Sequence, residues 1–479
     1  MSRTFPLRVR DALDNAPLGA ALGRMSGLLQ GRRAQAFASL PDADTIRDQA
    51  RKAKLDTLRS LPSQLERFEQ RLTANGATVH WADTGADANR IVIEIARQHG
   101  VRLIAKSKSM VTEETHLNEA LEHAGLEVVE TDLGEYIVQL AGDRPSHIVA
   151  PIIHMSRADV GRVMHERLQT PMTDDPAELG RFARERLRRV FLEADMGISG
   201  ANFGVVETGT ICLVTNEGNG RMVTSLPRVH VAIVGIEKLI PTLADLDRFL
   251  KLLPRSATGQ KLSVYTSLVS GPRRAGDDCG PEALHVVLLD NGRSRLLASD
   301  QAEILGCIRC GACMNACPVY VSIGGHAYGD TYPGPVGAVL TPGLRGLHGW
   351  SDLAGASSLC GACRDVCPVR LDIPRMLLSI RRESAPATAP WWLSTAMRGF
   401  GTIVGSPPLY RMANGVMRWV LRRSARSGWI SQAPGPAAAW TSIRDLRAPA
   451  ARTFQDAWQS QASGASGSSS ASSAAGGHT

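Results

Sequence analysis

The stretch CIRCGACMNACP, residues 307–318, holds four of the nine cysteines of a 479-residue chain. Its cysteines are separated by two, two and three residues and are followed by proline, which is the ligand spacing of bacterial ferredoxins. Three thiolates at such intervals reach one face of a cubane cluster only if the backbone turns tightly, and Gly311 favours that turn. Cys317, set apart before the proline, is typical of a ligand to a second cluster.

A second stretch, CGACRDVCP at residues 360–368, repeats the device without its first cysteine. Zinc is the competing metal, but a structural zinc site takes four ligands and this chain groups seven cysteines with two Cys-Pro endings. The spacing therefore favours two 4Fe-4S clusters. The predicted ligands are Cys307, Cys310, Cys313 and Cys367 for cluster 1, and Cys317, Cys360 and Cys363 for cluster 2.

Cluster 2 is one thiolate short, because Ser357 stands where a complete motif would carry cysteine. Several residues are alternative candidates for the missing ligand. Ser357 or Ser358 would supply an oxygen atom, His326 would supply a nitrogen atom, and Cys279 would supply a sulfur atom from the preceding domain. An iron open to solvent or to a partner, or a 3Fe-4S cluster, are the remaining alternatives. Cys212, within GTICLV, is predicted to be a small buried hydrophobe rather than a ligand.

Short apolar segments alternate with amphipathic ones from residue 77 onwards, which predicts a parallel α/β sheet. ATVHWAD, VRLIAKS and LEVVETD read as strands, and TEETHLNEALEHAG reads as one helix with Thr112 as its N-cap. NEGNG reads as a hairpin turn. The predicted divisions are a helical lead-in at 1–70, an α/β domain at 71–298, an α-helical ferredoxin-type dicluster domain at 299–385, a C-terminal extension at 386–455 and a disordered Ser/Ala/Gly tail at 456–479.

The formal net charge of +8 is mild for this length and is typical of a solvated surface. No DNA-binding helix pattern or RNA-binding aromatic motif accompanies it, so nucleic acid is not an expected partner. The N-terminus has no signal-peptide core, and no run of eighteen apolar residues occurs. We therefore expect a cytoplasmic protein, in which clustered cysteines bind metal rather than form disulfides.

The α/β domain offers one candidate binding site. Lys106, Ser107, Lys108 and Ser109 lie at the carboxyl end of a predicted strand and precede a helix, an arrangement that suits an anion; an exposed polar loop is the alternative. No G-x-G-x-x-G follows a strand, so no dinucleotide site is predicted.

The segments taken together resemble a known family. AKSKSMVTEETHLNEALEHAG and SGANFGVVETGTICLVTNEGNG are similar to the lactate-utilisation domain, whereas HAYGDTYPGPVGAVLTP and SSLCGAC, which also lacks the eighth cysteine, are similar to the iron–sulfur segment of the bacterial lactate-utilisation protein B family. The resemblance implies an electron-carrying subunit that works with two other subunits to oxidise L-lactate to pyruvate. It also implies a first domain with the open sheet of CoA transferases and ribose-5-phosphate isomerase, in which Glu207 is a weak catalytic candidate.

Two further hypotheses follow. One is a self-contained enzyme, with a CoA-transferase-like or hydroxyacid site in the α/β domain coupled to the clusters. The other concerns residues 391–429, which hold six arginines and no acidic residue. Their aromatic side chains suit a partner subunit or the inner face of a membrane near the unknown electron acceptor, with packing on the core as the alternative.

Overall fold

The computed structural model describes residues 4–435 and 438–465 and separates two compact units, Met1–Pro386 and Ala387–Thr479. The strands of the described residues are β1 (Thr78–Ala82), β2 (Leu103–Lys106), β3 (Glu127–Glu130), β4 (Met196–Ser199), β5 (Phe203–Val205), β6 (Thr210–Thr215), β7 (Val229–Gly235), β8 (Leu239–Ile240), β9 (Tyr265–Val269), β10 (Ala283–Leu289), β11 (Trp429–Ile430) and β12 (Leu446–Arg447).

The helices are α1 (Phe5–Leu13), α2 (Ala16–Ala38), α3 (Ala43–Arg59), α4 (Leu61–Ala74), α5 (Gly85–Gln98), α6 (Met110–Glu114), α7 (Leu117–His123), α8 (Leu133–Ala141), α9 (Arg157–Leu168), α10 (Pro176–Glu193), α11 (Asn219–Ser225), α12 (Leu243–Ala257), α13 (Arg293–Leu297), α14 (Ala312–Asn315), α15 (Pro318–Ile323), α16 (Gly334–Arg345), α17 (Ala362–Asp365), α18 (Ile373–Thr388), α19 (Trp391–Gly405), α20 (Pro407–Arg423), α21 (Ala438–Thr441) and α22 (Phe454–Ala465). Short 3-10 helices span Ile236–Lys238, Ala302–Gly306, His326–Tyr328 and Ser351–Gly355.

A six-stranded parallel sheet in the order β1-β10-β7-β4-β2-β3 forms the centre of the first unit, which confirms the predicted parallel α/β architecture. Strand β7 shows why its sequence is a continuous apolar run. Val231 and Ile233 pack on one face with helix α5, whereas Ala232 and Val234 pack on the other with helix α4. Both faces are covered, as parallel sheets require.

A second sheet has four strands in the order β8-β5-β6-β9. The predicted hairpin at NEGNG is wrong, because β6 belongs to this sheet and β7 to the large one. Residues 219–225 instead form helix α11, which is the crossover that a buried parallel strand needs before it.

The single helix predicted at residues 112–125 is also wrong, since α6 and α7 are separate. Ser109, not Thr112, caps α6 by accepting a hydrogen bond from the Thr112 backbone N–H at 3.4 Å. His116 then takes a positive φ of 55°, and the side chain of Asn89 donates to the Thr115 carbonyl at 2.7 Å, which ends the first helix.

Helices α14 to α18 carry the cysteine-rich segment, and the N-terminal helices cover it. Gln30 on α2 donates to the Asn315 carbonyl at 2.7 Å, and Arg47 on α3 donates to the Cys367 carbonyl at 2.7 Å. One apolar core joins Leu22 of α2 to Tyr320 and Leu340 of this segment. Helices α2 and α3 therefore pack on the cysteine segment.

The C-terminal unit contains α19 to α22 and the antiparallel pair β11–β12. Residues 456–465, predicted as part of a disordered tail, are helical in α22. Thr453 and Asp456 cap this helix reciprocally, with both hydrogen bonds at 3.0 Å, and that cap explains its start. The rest of the predicted tail, residues 466–479, lies outside the described residues, and the divisions at 70, 298, 385 and 455 stay predictions.

Candidate metal centre

Two local turns of the same kind position the cysteines. Arg309 and Gly311 have φ of 59° and 75°, and Leu359 and Gly361 have φ of 55° and 85°. Each pair precedes a four-residue helix, α14 or α17, that carries the next cysteine. The cysteine repeat of the sequence is therefore a structural repeat, and the positive φ values are the reason for glycine at 311 and 361.

Four thiols line one buried cavity together with apolar side chains such as Val336 and Ile373; they are those of Cys307, Cys310, Cys313 and Cys367. Burial is the main cause that raises the pKa of Cys367 to about 11, and the neighbouring Cys307 raises it further. The same two causes, burial and neighbouring thiols, raise the pKa of Cys310 and Cys313. Such a set of crowded thiols is the donor set of a metal cluster, and its residues fit one.

Cys317, Cys360 and Cys363 form a second group. Burial raises the pKa of Cys363 to about 12, with Cys317 and Cys360 as its thiol neighbours. Cys360 is exposed, unlike the other six cysteines of the two motifs. Its pKa is lowered by hydrogen bonds to its sulfur, chiefly from the Ala362 backbone and next from the Ser358 side chain.

The two groups adjoin each other. The charge of Cys363, in the second group, contributes to the raised pKa of Cys313 in the first, after burial and the nearer thiols. The arrangement places two sets of sulfur donors side by side, one enclosed and one reaching the surface.

Buried cations surround the first group. The charge of Arg309 interacts with that of Cys307, and its guanidinium lies 5.0 Å from the ring centre of Tyr332. Lys54 and Lys238 also interact with the charge of Cys307, but burial lowers their pKa to about 7 and about 8, so the permanent positive charge beside Cys307 is that of Arg309. On the opposite side, Arg33 interacts with Cys310 and Arg47 with Cys367. An anionic cluster here would be neutralised by fixed positive charge.

Glu237 holds these cations in place from the first turn after β7. Its carboxylate accepts from Arg293 at 2.6 Å and from Arg309 at 3.3 Å. Burial raises the pKa of Glu237, but Arg293, Lys238 and Arg309 outweigh burial and hold it near 2. The second group has a negatively charged neighbour instead, Asp365. Its charge opposes, but does not outweigh, the hydrogen bonds that lower the pKa of Cys360.

The candidate eighth ligands lie in different places. Ser357 Oγ accepts from the Leu359 backbone N–H at 3.1 Å, whereas the Ser358 side chain contacts the Cys360 sulfur. His326 Nε2 lies 2.7 Å from the Arg144 carbonyl oxygen and beside Asp143. Cys279 is exposed in the loop before β10, and Cys212 is buried in β6 as predicted, with a pKa raised to about 12 by burial.

The predicted anion site differs from expectation because its lysines already have partners. Lys106 is fully buried and ion-paired with Glu130 and, at 3.2 Å, with Glu113, while Lys108 lies 2.9 Å from Glu135. Burial raises the pKa of Glu135 to about 7. Ser107 is buried and Ser109 caps α6, so residues 106–109 form neither the exposed loop nor a free cationic pocket.

Glu207 is exposed and performs a structural task. Its Oε2 accepts from the Leu243 backbone N–H at 3.0 Å at the start of α12. This contact satisfies a free N–H of the helix terminus.

His147 was missed by the sequence analysis. Its Nδ1 accepts from the backbone N–H groups of Val149 and Ala150 at 2.9 and 3.0 Å, so its Nε2 carries the proton and donates to Asn315 at 3.2 Å. Burial lowers its pKa to about 4. His147 thus holds Asn315 of the cysteine segment in place. The sequence gives no sign of this contact, because Asn315 lies 168 residues away.

Comparisons with known proteins agree with this arrangement. Family models match at residues 65–289 (LUD domain), 303–371 (4Fe-4S dicluster domain) and 380–463 (lactate utilisation protein B, C-terminal). The lactate utilization protein B of Bacillus velezensis is 42% identical over 94% of this chain and 96% of its own length, and that of Geobacillus kaustophilus is 41% identical over 96% and 97%.

An Escherichia coli protein named as an uncharacterized electron transport protein is 45% identical over 80% of each chain. Among solved structures, a DUF162 family protein from Deinococcus radiodurans covers 48% of this chain and 98% of its own, at 16% identity and a TM-score of 0.27, which is too low to define the fold. The cysteine groups lie within the dicluster match, and the relatives align over nearly the full length. The chain therefore belongs to the lactate utilisation protein B family and carries a 4Fe-4S dicluster domain.

Proposed function

We propose that this chain is the iron–sulfur electron-transfer subunit of a multi-subunit system that oxidises L-lactate to pyruvate. The names of its relatives support this proposal: one is called lactate utilization protein B, which agrees with a role in lactate use, and another is called an electron transport protein, which agrees with electron transfer. Two other lactate-utilisation subunits would then be its partners, and the chemical step on lactate would lie on one of them.

The observation that carries the proposal is the adjacency of the two cysteine groups, in which the charges of Cys313 and Cys363 interact. Cys307, Cys310, Cys313 and Cys367 would hold cluster 1, and Cys317, Cys360 and Cys363 would hold cluster 2. Clusters of this kind supply one-electron transfer when bound. Two adjoining one-electron sites suit the oxidation of a hydroxy acid, which releases two electrons.

The chain's own residues give the two sites different tasks. Buried side chains exclude water from the first group, and Arg309 places a permanent positive charge beside Cys307. The second group reaches the surface at Cys360, which suits it to exchange electrons with a partner. Its missing fourth thiolate leaves either an oxygen donor such as Ser358, an open iron or a 3Fe-4S cluster.

The test is electron paramagnetic resonance on the anaerobically purified, cluster-loaded chain after addition of L-lactate, with and without the partner subunits. Reduction that requires the partners supports the proposal. Reduction by lactate without any partner would overturn it, because the substrate site would then lie on this chain.

The alternative is a self-contained enzyme with its site in the α/β domain. Glu207, the catalytic candidate of that enzyme, accepts a hydrogen bond from the backbone at the start of α12. This contact explains the residue structurally and does not support the alternative. A Glu207→Gln variant separates the two hypotheses. Unchanged lactate-dependent reduction with the partners present is expected, whereas abolished turnover with intact clusters would favour the enzyme.

Residues 391–429 support an additional proposal, that the chain attaches to the inner face of the membrane near the electron acceptor. Within the C-terminal unit, α19 and α20 bury none of their residues, and Trp391, Phe400 and Trp419 are exposed by 81, 59 and 64%. In the described part of the chain, each helix is too short or too polar to span a bilayer. Attachment would therefore be peripheral, through arginines and aromatic side chains.

A further inference from the structure

Three potential metal ligands outside the cysteine groups converge where the α/β part meets the dicluster segment. Asp143 follows helix α8 directly after Gly142, His154 precedes the cap of α9, and His326 opens the 3-10 helix His326–Tyr328. One ligand atom from each of these residues lies within 4.8 Å of the other two. The sequence gives no hint of the trio, because 172 residues separate His154 from His326.

Hydrogen bonds between side chains and backbone hold the segment around Ser146 against residues 320–325. The hydroxyl of Tyr320 donates to the Ser146 carbonyl at 2.9 Å, and the Gly325 N–H donates to Ser146 Oγ at 3.3 Å. A side chain at Gly325 would strike the Ser146 carbonyl oxygen, at 1.8 Å from its Cβ. The three ligands are therefore presented by rigidly packed backbone rather than by free loops.

The separations suit a small transition-metal ion. Asp143 Oδ2 lies 2.9 Å from His154 Nε2, Asp143 Oδ1 lies 3.9 Å from His326 Nε2, and the two imidazole rings are 4.6 Å apart. Tetrahedral zinc, with ligand bonds of about 2.0–2.1 Å, places its ligands about 3.3 Å from one another. Small side-chain rotations are enough to reach that geometry.

The state of each side chain agrees with a ligand role. The carboxylate of Asp143 accepts a hydrogen bond from His154 Nε2 at 2.9 Å, so its oxygen already faces that ring nitrogen. Among the described residues, His154 Nδ1 is buried without a hydrogen-bond partner, and the other ring nitrogen, Nε2, is the atom that faces Asp143. His326 has to release the Arg144 carbonyl, 2.7 Å away, when it turns to the ion.

We propose that Asp143, His154 and His326 bind one divalent transition-metal ion, separate from the iron–sulfur clusters. Two histidines and one carboxylate are the ligand set of open zinc and non-haem iron sites, in which further positions take water or another small oxygen donor. His326 and Asp143 are each 42% exposed, so such a donor reaches the ion from solvent. The ion would also tie residues 142–155 to the dicluster segment.

Zinc is the probe for the test. The full-length chain with its clusters is freed of loosely bound metal by a weak chelator, given zinc chloride, desalted, and analysed for zinc and iron. We expect one zinc per chain in the wild type. Loss of an outer-shell partner already costs roughly 10–100-fold in metal affinity, so His326→Ala and Asp143→Asn should each weaken zinc binding at least about 10-fold.

His123→Ala is the matched control, because His123 is exposed at the end of α7 and should retain zinc. Equal iron content in all variants shows that the clusters and the fold are intact. Cobalt(II) then distinguishes the ligands, since the proposed site gives a spectrum without the intense thiolate-to-cobalt absorption of cysteine ligation. Absence of zinc from the wild type, equal retention by every variant, or a thiolate spectrum would each overturn the proposal.

Discussion

The backbone N–H of Arg309 donates to the sulfur of Cys307 at 3.4 Å, and the charge of the Arg309 guanidinium interacts with that of the same cysteine. Arg309 thus supplies one hydrogen bond and a fixed positive charge at one predicted ligand of cluster 1. Both raise the reduction potential of a cluster, because reduction adds negative charge. The first cysteine group should therefore hold the higher-potential cluster.

Arg309→Met tests this relationship. A unit charge about 8 Å away contributes about 2 kcal/mol at an effective dielectric constant of about 20. We therefore expect the variant to lower the midpoint potential of cluster 1 by tens of millivolts in a redox titration followed by electron paramagnetic resonance. Arg309→Lys keeps the charge and should retain most of the wild-type potential, and equal iron content in both variants excludes a loss of clusters. An unchanged potential in Arg309→Met would contradict the assignment.

Ser358 and Ser357 give a matched pair at the second group. The Ser358 side chain hydrogen-bonds the Cys360 sulfur, whereas Ser357 Oγ accepts from the Leu359 backbone. We expect Ser358→Ala to lower the potential of cluster 2, or to convert it to a 3Fe-4S signal if the oxygen is a ligand, while Ser357→Ala changes neither. The oxidised and reduced resonance spectra decide. An effect confined to Ser357→Ala would place the eighth donor at the position that the motif spacing predicts.

The sequence predicts the cysteine groups and the parallel sheet well because both depend on local patterns. The interval between cysteines is a property of one turn, and the apolar strand β7 reveals burial on both faces. The sequence does not predict that Arg33 and Arg47 lie beside the cysteines. Arginines on the polar face of a helix have the same local pattern whether they meet solvent or a buried thiol, and only tertiary packing decides.

The same limit explains two errors in the α/β part. Lys106 ends strand β2, where an anion-binding residue would lie, but its partner Glu130 is 24 residues away on the neighbouring strand β3. Asn219 and Gly220 have the composition of a hairpin turn, yet the next strand is central and parallel, so the chain must cross over through a helix. Turn composition carries no information about which sheet the following strand joins.

His230 predicts a dependence of stability on pH. It is fully buried in β7, with Nε2 2.8 Å from Ser199 Oγ, and burial lowers its pKa from 6.5 to about 4. In the unfolded chain His230 is protonated below about pH 6.5, whereas in the folded chain it is protonated only below about pH 4. The stability that neutral His230 provides is therefore complete above pH 6.5 and is lost as the pH falls towards 4, by about 2 kcal/mol at pH 5.

His230→Gln keeps a donor near Ser199 and removes this titration. Its free energy of unfolding, measured with urea under anaerobic conditions, should fall less between pH 7 and pH 5 than that of the wild type, by about 2 kcal/mol. Both chains carry the same clusters, so the pH sensitivity of the clusters cancels in the comparison. His123→Gln, at an exposed histidine, should retain the wild-type slope. The same slope in His230→Gln and wild type would show that His230 does not remain neutral.

The arginines at the end of α20 and just beyond it predict binding to anionic vesicles. Arg422, Arg423 and Arg426 lie in a segment without acidic residues, next to exposed apolar side chains such as Trp419. Near an anionic membrane each arginine contributes about 1 kcal/mol, so replacing all three by glutamine should weaken binding roughly 100-fold. Sedimentation of the full chain with vesicles that contain phosphatidylglycerol measures the effect, and neutral vesicles should bind far less.

A control of equal charge makes this prediction specific to the C-terminal helices. Arg184, Arg188 and Arg189 are exposed on α10 of the first unit, and their replacement by glutamine removes the same three charges. If residues 391–429 contact the membrane, this second variant binds vesicles like the wild type, because the charges it removes belong to the first unit. Equal loss in both variants would mean that net charge alone drives the association. Failure of the wild-type chain to sediment with anionic vesicles would instead assign the exposed tryptophans of α19 and α20 to a partner subunit, since an apolar and basic surface of this kind then needs a protein to cover it.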